Sequence, residues 1–360
     1  MTQREQEILQ LIGKDPMISQ QEIADTLGIT RSSVAVHISN LIRKGYIAGK
    51  GYVLRGENYA VVVGGVNVDI GGRSHAPLVA ADSNPGTVTV SLGGVGRNIA
   101  HNMRLLGMDV RFLTAFGNDM NGQRIASSCM ELGIDIRNAL RLDDAATSTY
   151  LYLTDEQGEM ALAVSDMAVC DRITPEYLAA NLPLLQGARV VVADANIPAE
   201  SLCYLAEHCT APLFIDPVST AKAEKLRPIL SGIHTLKPNA LEAALLSGVS
   251  PDAPDAVEQA AEILLKKGVK RLFISMGANG VYVAEGDTRF HLPNLPGRMV
   301  NTTGCGDAFT AALAWAHTEV LELKEAALAG LAAGSIAMET QETINGSMSR
   351  EAVRSRANIQ

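Results

Sequence analysis

From Tyr59 onward, short apolar runs alternate with helix-like stretches, and this alternation restricts the fold more than any other feature of the chain. The runs are "YAVVVGGVNVDI", "ARVVVAD", "PLFIDP" and "RLFISMG", separated by segments such as 198–208 and 256–267. Strand–helix alternation of this kind predicts a mainly parallel sheet covered by helices. In such sheets ligands bind beyond the C-terminal strand ends, and the polar residues cluster there. Two other stretches, "TVTVSLGG" and "TSTYLYLTDEQGEMALAV", alternate in polarity and read as antiparallel, the second with a Glu156-Gln157-Gly158 hairpin tip. They predict a small sheet outside the main layers, at about 72–92 and 147–167, suited to a lid.

The chain has 360 residues, 47% hydrophobic and 19% charged, enough for a large core and two or three domains. Five cysteines without a CxxC pair fit a reducing cytoplasm better than a disulfide scaffold. The start, "MTQREQEILQ", has no apolar signal core, and no run of 18 apolar residues predicts a membrane span. The histidines show no metal-ligand spacing such as HExxH. A cytoplasmic protein without a membrane partner is expected.

Net charge is −9, but residues 1–58 hold 7 Lys and Arg against 6 Asp and Glu, leaving 23 against 33 in the remainder. A small near-neutral module precedes a large acidic one. In residues 1–56, Ile8, Leu11 and Ile12 mark one helix. Ser19 caps a second over 20–27, Gly28 turns the chain, and Thr30 caps a third striped by Val34, Ile38, Leu41 and Ile42. That is a helix-turn-helix, and "YIAGKGYVL" alternates around Gly-Lys-Gly as a wing would. The segment resembles the winged helix-turn-helix domains of bacterial regulators. By that resemblance residues 31–44 form the recognition helix, with Arg31, Ser32, Ser33, His37 and Asn40 toward a groove and Arg43, Lys44 and Lys50 near phosphates. The alternative is a small helical domain for dimerisation or regulation, and the weak net charge holds DNA binding back.

Four motifs carry chemistry in residues 57–360. "GGVGRNIAHN" is a Gly-rich turn opening a helix, at Gly93 and Gly94 with Asn98 following; alone it is also compatible with a structural turn. "LKPNALEA" sets Asn239 and Glu242 on one helical face, suited to water-mediated Mg2+ contact or simply to a helix start. "SMGANG", with Ser275, Gly277 and Gly280, offers N–H groups to phosphates or makes a plain hairpin turn. "NTTGCGDAF" brings glycines and an acid to a helix N-terminus, whose unpaired N–H groups attract an anion.

Together these residues resemble the PfkB family of carbohydrate and nucleoside kinases, also called the ribokinase family. The match runs from about Ala60 to the C-terminal region and includes the GGxxxN-type turn at 93–98, the DTxGAGD-type turn at 301–307 and a PNxxE match. "DSNPG" before "GGVGRNIA" is most similar to pseudouridine kinases. The resemblance implies an α/β fold, a ribokinase-like three-layer sandwich with a small β lid. It implies that the N–H groups of Gly304, Cys305 and Gly306 form an anion hole and that Asp307 is the general base. By the same resemblance Asn67, Asp69, Gly93, Gly94 and Asn98 bind the sugar. Asn239, Ser275, Gly277 and Gly280 fall where the family binds ATP, and Glu242 with Asn239 at its Mg2+ position. The adenine pocket is expected near 333–347.

Two departures stand out. Asn301 replaces the family Asp that helps form a monovalent-cation site, which puts potassium activation in question. Cys305 replaces Ala; small-residue packing is expected, with a lowered thiol pKa and redox sensitivity as the lesser alternative. A phosphorylated substrate would need a cationic clamp, and residues 147–167 carry Asp155, Glu156, Glu159 and Asp166 but no Lys or Arg, with Arg73 and Arg97 as exceptions elsewhere. The expected activity is ATP-dependent 5′-phosphorylation of a ribonucleoside, pseudouridine first, then inosine, guanosine, cytidine or uridine, then ribose. The alternative is a nucleoside-sensing regulator that uses a kinase fold to control DNA binding. A homodimer is expected from the family's lid pairing.

Overall fold

The computed structural model describes residues 2–15, 17–44, 46–47 and 58–359. Three helices, Gln3–Lys14, Gln20–Leu27 and Arg31–Arg43, open the chain. Each N-terminus has a side-chain cap, from Thr2, Ser19 and Thr30. Thr2 and Ser19 form reciprocal capping boxes with Glu5 and Glu22, so N–H groups that a helix leaves unpaired find acceptors. Gly28 ends the second helix at φ +63°, as the expected turn requires. Ile8, Ile12, Ile23, Val34, Ile38 and Leu41 form a separate small core. Ile42 departs from the expected stripe: it lies half exposed, because Leu41 and Ile38 already fill the inward face. The wing, Lys50 included, lies outside the described residues apart from Tyr46 and Ile47.

The large unit is built on an eight-stranded sheet. Its parallel part runs in the order 271–275, 235–236, 213–216, 191–194, 59–63, 109–113. Two antiparallel strands, Val281–Glu285 and Thr288–Leu292, extend the 271–275 edge. Alternation within the central strand splits the core. Ala60 and Val62 join one apolar cluster with Met103, Trp315, Ala332 and Val353. Tyr59, Val61 and Val63 join another with Leu185, Leu202, Leu246 and Leu264. One strand thus feeds two helical layers, because successive side chains point to opposite faces. The expected three layers are present.

"YAVVVGGVNVDI" is not one strand. Tyr59–Val63 stays in the main sheet, and Asn67–Ser74 leaves it to enter the lid. The break falls at Gly64-Gly65, where the Gly65 N–H turns to the buried Asp194 carboxylate at 3.0 Å instead of a ladder carbonyl. The lid is a separate four-stranded sheet in the order 86–93, 67–74, 149–154, 160–166. Its outer pairs are antiparallel as expected, but the central pair is parallel. The tip forms between Asp155 and Glu159, with Gly158 at φ +94°. Among the described residues no helix is long and apolar enough to cross a membrane.

Candidate active site

The site assembles at the C-terminal ends of the parallel strands, where the helix Cys305–Thr318 begins. Gly304 caps that helix at φ +83°, and any side chain there would strike the Thr343 carbonyl, so only glycine makes the turn. Cys305 N–H donates a long bond to Thr302 O at 3.3 Å. The amides of Gly304 and Gly306 have no acceptor among the described residues. Asp307, on the first turn of this helix, is 9% exposed. Its Oδ2 accepts from Asn98 Nδ2 at 2.8 Å.

Asn98 reaches Asp307 because its helix, Val95–Leu105, starts tightly against the strand break. Gly94 enters it at φ +96°, where a Cβ would sit 2.6 Å from Val66 Cα. Gly93 packs directly on the Asp69 carboxylate, which accepts from Asn67 Nδ2 at 2.6 Å. Asn67, Asp69, Gly93, Gly94, Asn98 and Asp307 therefore come together. Burial raises the Asp69 pKa, opposed by Asn67 and by the Arg97 guanidinium. Arg97 is itself buried and donates to Leu92 O and Ser128 Oγ, at 3.1 and 2.9 Å, while Arg73 is exposed and donates to Glu156 O.

A cleft of about 370 Å³ adjoins the turn. Ser275, Gly277 and Gly280 line one wall, Cys305 and Gly306 the floor, and Gly334, Ser335 and Met338 the region expected for adenine. The Ser275–Gly280 segment is also a hairpin turn, closed by Met276 N–H to Gly280 O at 2.8 Å. Asn239 bridges to Ser275 beside the cleft. Asn239 and Glu242 are tied to one another in a capping box, with Asn239 Oδ1 accepting from Glu242 N–H at 2.8 Å and Glu242 Oε2 from Asn239 N–H at 2.9 Å. Glu242 is buried, not solvated, and its Oε1 accepts nothing among the described residues, which leaves one carboxylate oxygen for a hydrated Mg2+. Asn301 stabilises the turn, donating to Gln341 O and accepting from Thr303 N–H, both at 3.0 Å.

Three charged groups escaped the sequence reading. Lys237, in the quoted "LKPN", is buried with Nζ 3.1 Å from Asp216 Oδ2, and a Cβ on Gly306 would lie 3.0 Å from that Nζ. Asp216 also accepts from Thr310 Oγ1 at 2.9 Å, one turn along the Asp307 helix. Asp194 lies fully buried under Gly64 and Gly65. A usable signal existed: both acids end apolar strand runs. Their electrostatics follow from burial. Desolvation, reinforced by Asp216, pushes Asp307 up to about 8 against the Asn98 bond and the Lys237 charge. Desolvation lifts Asp194 to about 6. Burial pulls Lys237 down, yet Asp216, with Asp307 and Glu242, leaves it above its ordinary value. The Cys305 thiol is also raised, by burial and by Asp307, which removes the basis for a reactive thiolate.

In the N-terminal unit, Arg31 and Ser32 are exposed at the start of the third helix. Ser32 and Ser33 hydroxyls contact Thr30 Oγ1 at 3.1 and 2.8 Å. His37 and Asn40 are half buried, and Asn40 Oδ1 accepts from Arg43 at 3.1 Å. Lys44, expected near phosphates, pairs with the buried Glu5 at 2.9 Å and keeps 35% of its side chain exposed.

Comparison with known proteins agrees with this geometry. Residues 57–350 match the model of the pfkB family carbohydrate kinases, and residues 1–48 match winged helix-turn-helix DNA-binding domains. The chain is 38% identical over 355 residues to an uncharacterized sugar kinase, YeiI, of Escherichia coli (strain K12), covering 98% of each. It is 38% identical over 299 residues to the pseudouridine kinase of the same strain, covering 82% of this chain and 95% of that one. A carbohydrate kinase from Agrobacterium tumefaciens superposes with a TM-score of 0.75 at 28% identity, over 84% of this chain and 98% of that chain. With an acid at a glycine-lined helix start beside a cleft, and a family match over most of its length, the chain belongs to the pfkB family of carbohydrate kinases, phosphotransferases that act on an alcohol group.

Proposed function

We propose that the protein phosphorylates the 5′-hydroxyl of a ribonucleoside, most closely pseudouridine, with ATP as donor. The observation that carries this reading is the Asn98–Asp307 contact, which joins the sugar-side turn to the helix start at the cleft. Asn67, Asp69, Gly93, Gly94 and Asn98 would hold the ribose, with the Asp69 carboxylate accepting from vicinal hydroxyls. Ser275, Gly277, Gly280 and Asn239 would line the donor site. Asp307 would take the proton as the alcohol oxygen attacks in line, and the Gly304, Cys305 and Gly306 amides with Lys237 would stabilise the phosphoryl charge. Glu242 and Asn239 would hold Mg2+ through water, and the ion would supply charge neutralisation at the phosphates. Asn301, in place of the family Asp, would remove a charge from any monovalent-cation site, which leaves potassium activation in question. Residues 1–56 and 57–360 would act as separate units of a cytoplasmic homodimer.

The test is MgATP-dependent product formation, read by mass spectrometry, over pseudouridine, uridine, cytidine, inosine, guanosine, ribose and fructose 1-phosphate. A nucleoside 5′-phosphate is expected, with turnover reduced about 10²–10⁴-fold in Asp307→Asn. Product from ribose alone would sink the nucleoside assignment while leaving the kinase. The second reading, a nucleoside-responsive DNA-binding regulator, rests on the match of residues 1–48. It is compatible with catalysis.

A further inference from the structure

We propose that Tyr150, on the inner face of the lid, is the stacking platform for the nucleobase; this rests on the nucleoside reading above. The lid register separates its two faces. Asp69 pairs with Ser91 on one side and Tyr150 on the other, and Tyr150 pairs with Ser165. The next inward row is Thr89, Gly71, Tyr152 and Ala163. Cross-strand partners share a face, so the two tyrosines lie on the side that carries the Asp69 carboxylate.

The two rings are not equivalent. Tyr152 lies down over Gly71, where even a Cβ would meet its ring carbons at 2.6 and 2.9 Å. Its ring is held by the sheet. Tyr150 is half buried, stands in the same row as Asp69, and among the described residues its hydroxyl has only a long contact to Met160 Sδ at 3.9 Å. The two ring centroids are 5.7 Å apart with planes tilted by 34°, so the rings are neighbours without a parallel stack between them. A ribose held at Asp69 presents its base to the neighbouring position, and a planar uncharged base fits an aromatic ring that stands between Asp69 and Ser165 in one cross-strand row. No Lys or Arg occurs in 147–167 to favour a charged aglycone.

Base–aromatic stacking contributes about 1–3 kcal/mol on truncation, or roughly 5- to 150-fold. The experiment compares wild type, Tyr150→Phe and Tyr150→Ala with pseudouridine, uridine and ribose, with melting curves and the KM for ATP as controls for folding. The expected result is a fall of about 10-fold or more in nucleoside kcat/KM for Tyr150→Ala, chiefly through KM. Its ratio to the ribose value falls with it, and Tyr150→Phe restores the ratio because the ring remains. Equal losses for nucleosides and ribose, a raised KM for ATP, or an unchanged nucleoside KM would overturn the platform while leaving the nucleoside assignment. If wild type phosphorylates no nucleoside, the assignment fails and the platform fails with it.

Discussion

At the scale of single residues, the site is costly to the fold. Asp307 in water would ionise near 4; buried beside Asp216 it ionises near 8. A carboxyl whose folded pKa is raised destabilises the native state as it ionises. Its penalty is absent below pH 4, grows through the interval to pH 8, and is complete above that. Asp307→Asn, which keeps an oxygen to accept from Asn98, is therefore expected to melt higher than wild type at pH 9 and nearly equally at pH 4. Each kcal/mol released shifts Tm by about 2–4 °C. Differential scanning calorimetry across that range checks it, and a gap independent of pH would refute the buried-charge account. For the same reason kcat/KM should rise with pH toward 8, as the base loses its proton. The turn around Asp307 was legible in the sequence because glycines and acid are neighbours in the chain. Asp194 and Asp216 were marked only as acids ending apolar runs, and their meeting with Lys237 was not legible, since it depends on which strands lie side by side.

At the scale of elements, the lid has two unlike faces. The inner carries Asp69 and the tyrosines; the outer carries Val88, Val90, Leu151, Leu153, Leu162 and Val164, each 41% exposed or more. Contiguous exposed apolar surface marks an association site, and the proposed homodimer would cover it. The paired change Val90→Lys and Leu162→Lys is expected to convert a dimer to monomer in sedimentation velocity without altering the melting of each protomer. A wild type that sediments as monomer at tens of micromolar would remove the proposal. Alternation made the 86–93 and 149–166 strands readable, but the strand before them was misread as continuous. Its apolar run does not stop at Gly64, and only the distant Asp194 explains the change of sheet.

At the scale of the whole molecule, a helix-turn-helix segment precedes a kinase. Short-range signals, caps at Ser19 and Thr30 and the turn at Gly28, were enough to read its helices; the Lys44–Glu5 pair was not legible, because Glu5 lies 39 residues away. Its reading face is expected to bind duplex DNA with log K falling linearly against log salt, and Arg31→Ala to lower that slope by about 1. Fluorescence anisotropy on fragments selected from a random pool, with and without nucleoside, tests both this and any response to substrate. Binding with no salt dependence would count against phosphate contacts. The lid and the body, finally, are joined only along one end of the lid strands, at 64–66, 93–94, 147–148 and 167. Suppose the lid swings about that end. At about 3.3 Å per strand residue, Asp69 lies roughly 7–10 Å from the pivot and Ser74 about 25 Å. A turn of about 10° then carries the outer end some 4 Å but Asp69 only about 1 Å, by the same strand geometry. The lever is short where it grips the sugar and long where it faces water, so the grip on a hydroxyl and the exclusion of solvent can be adjusted separately.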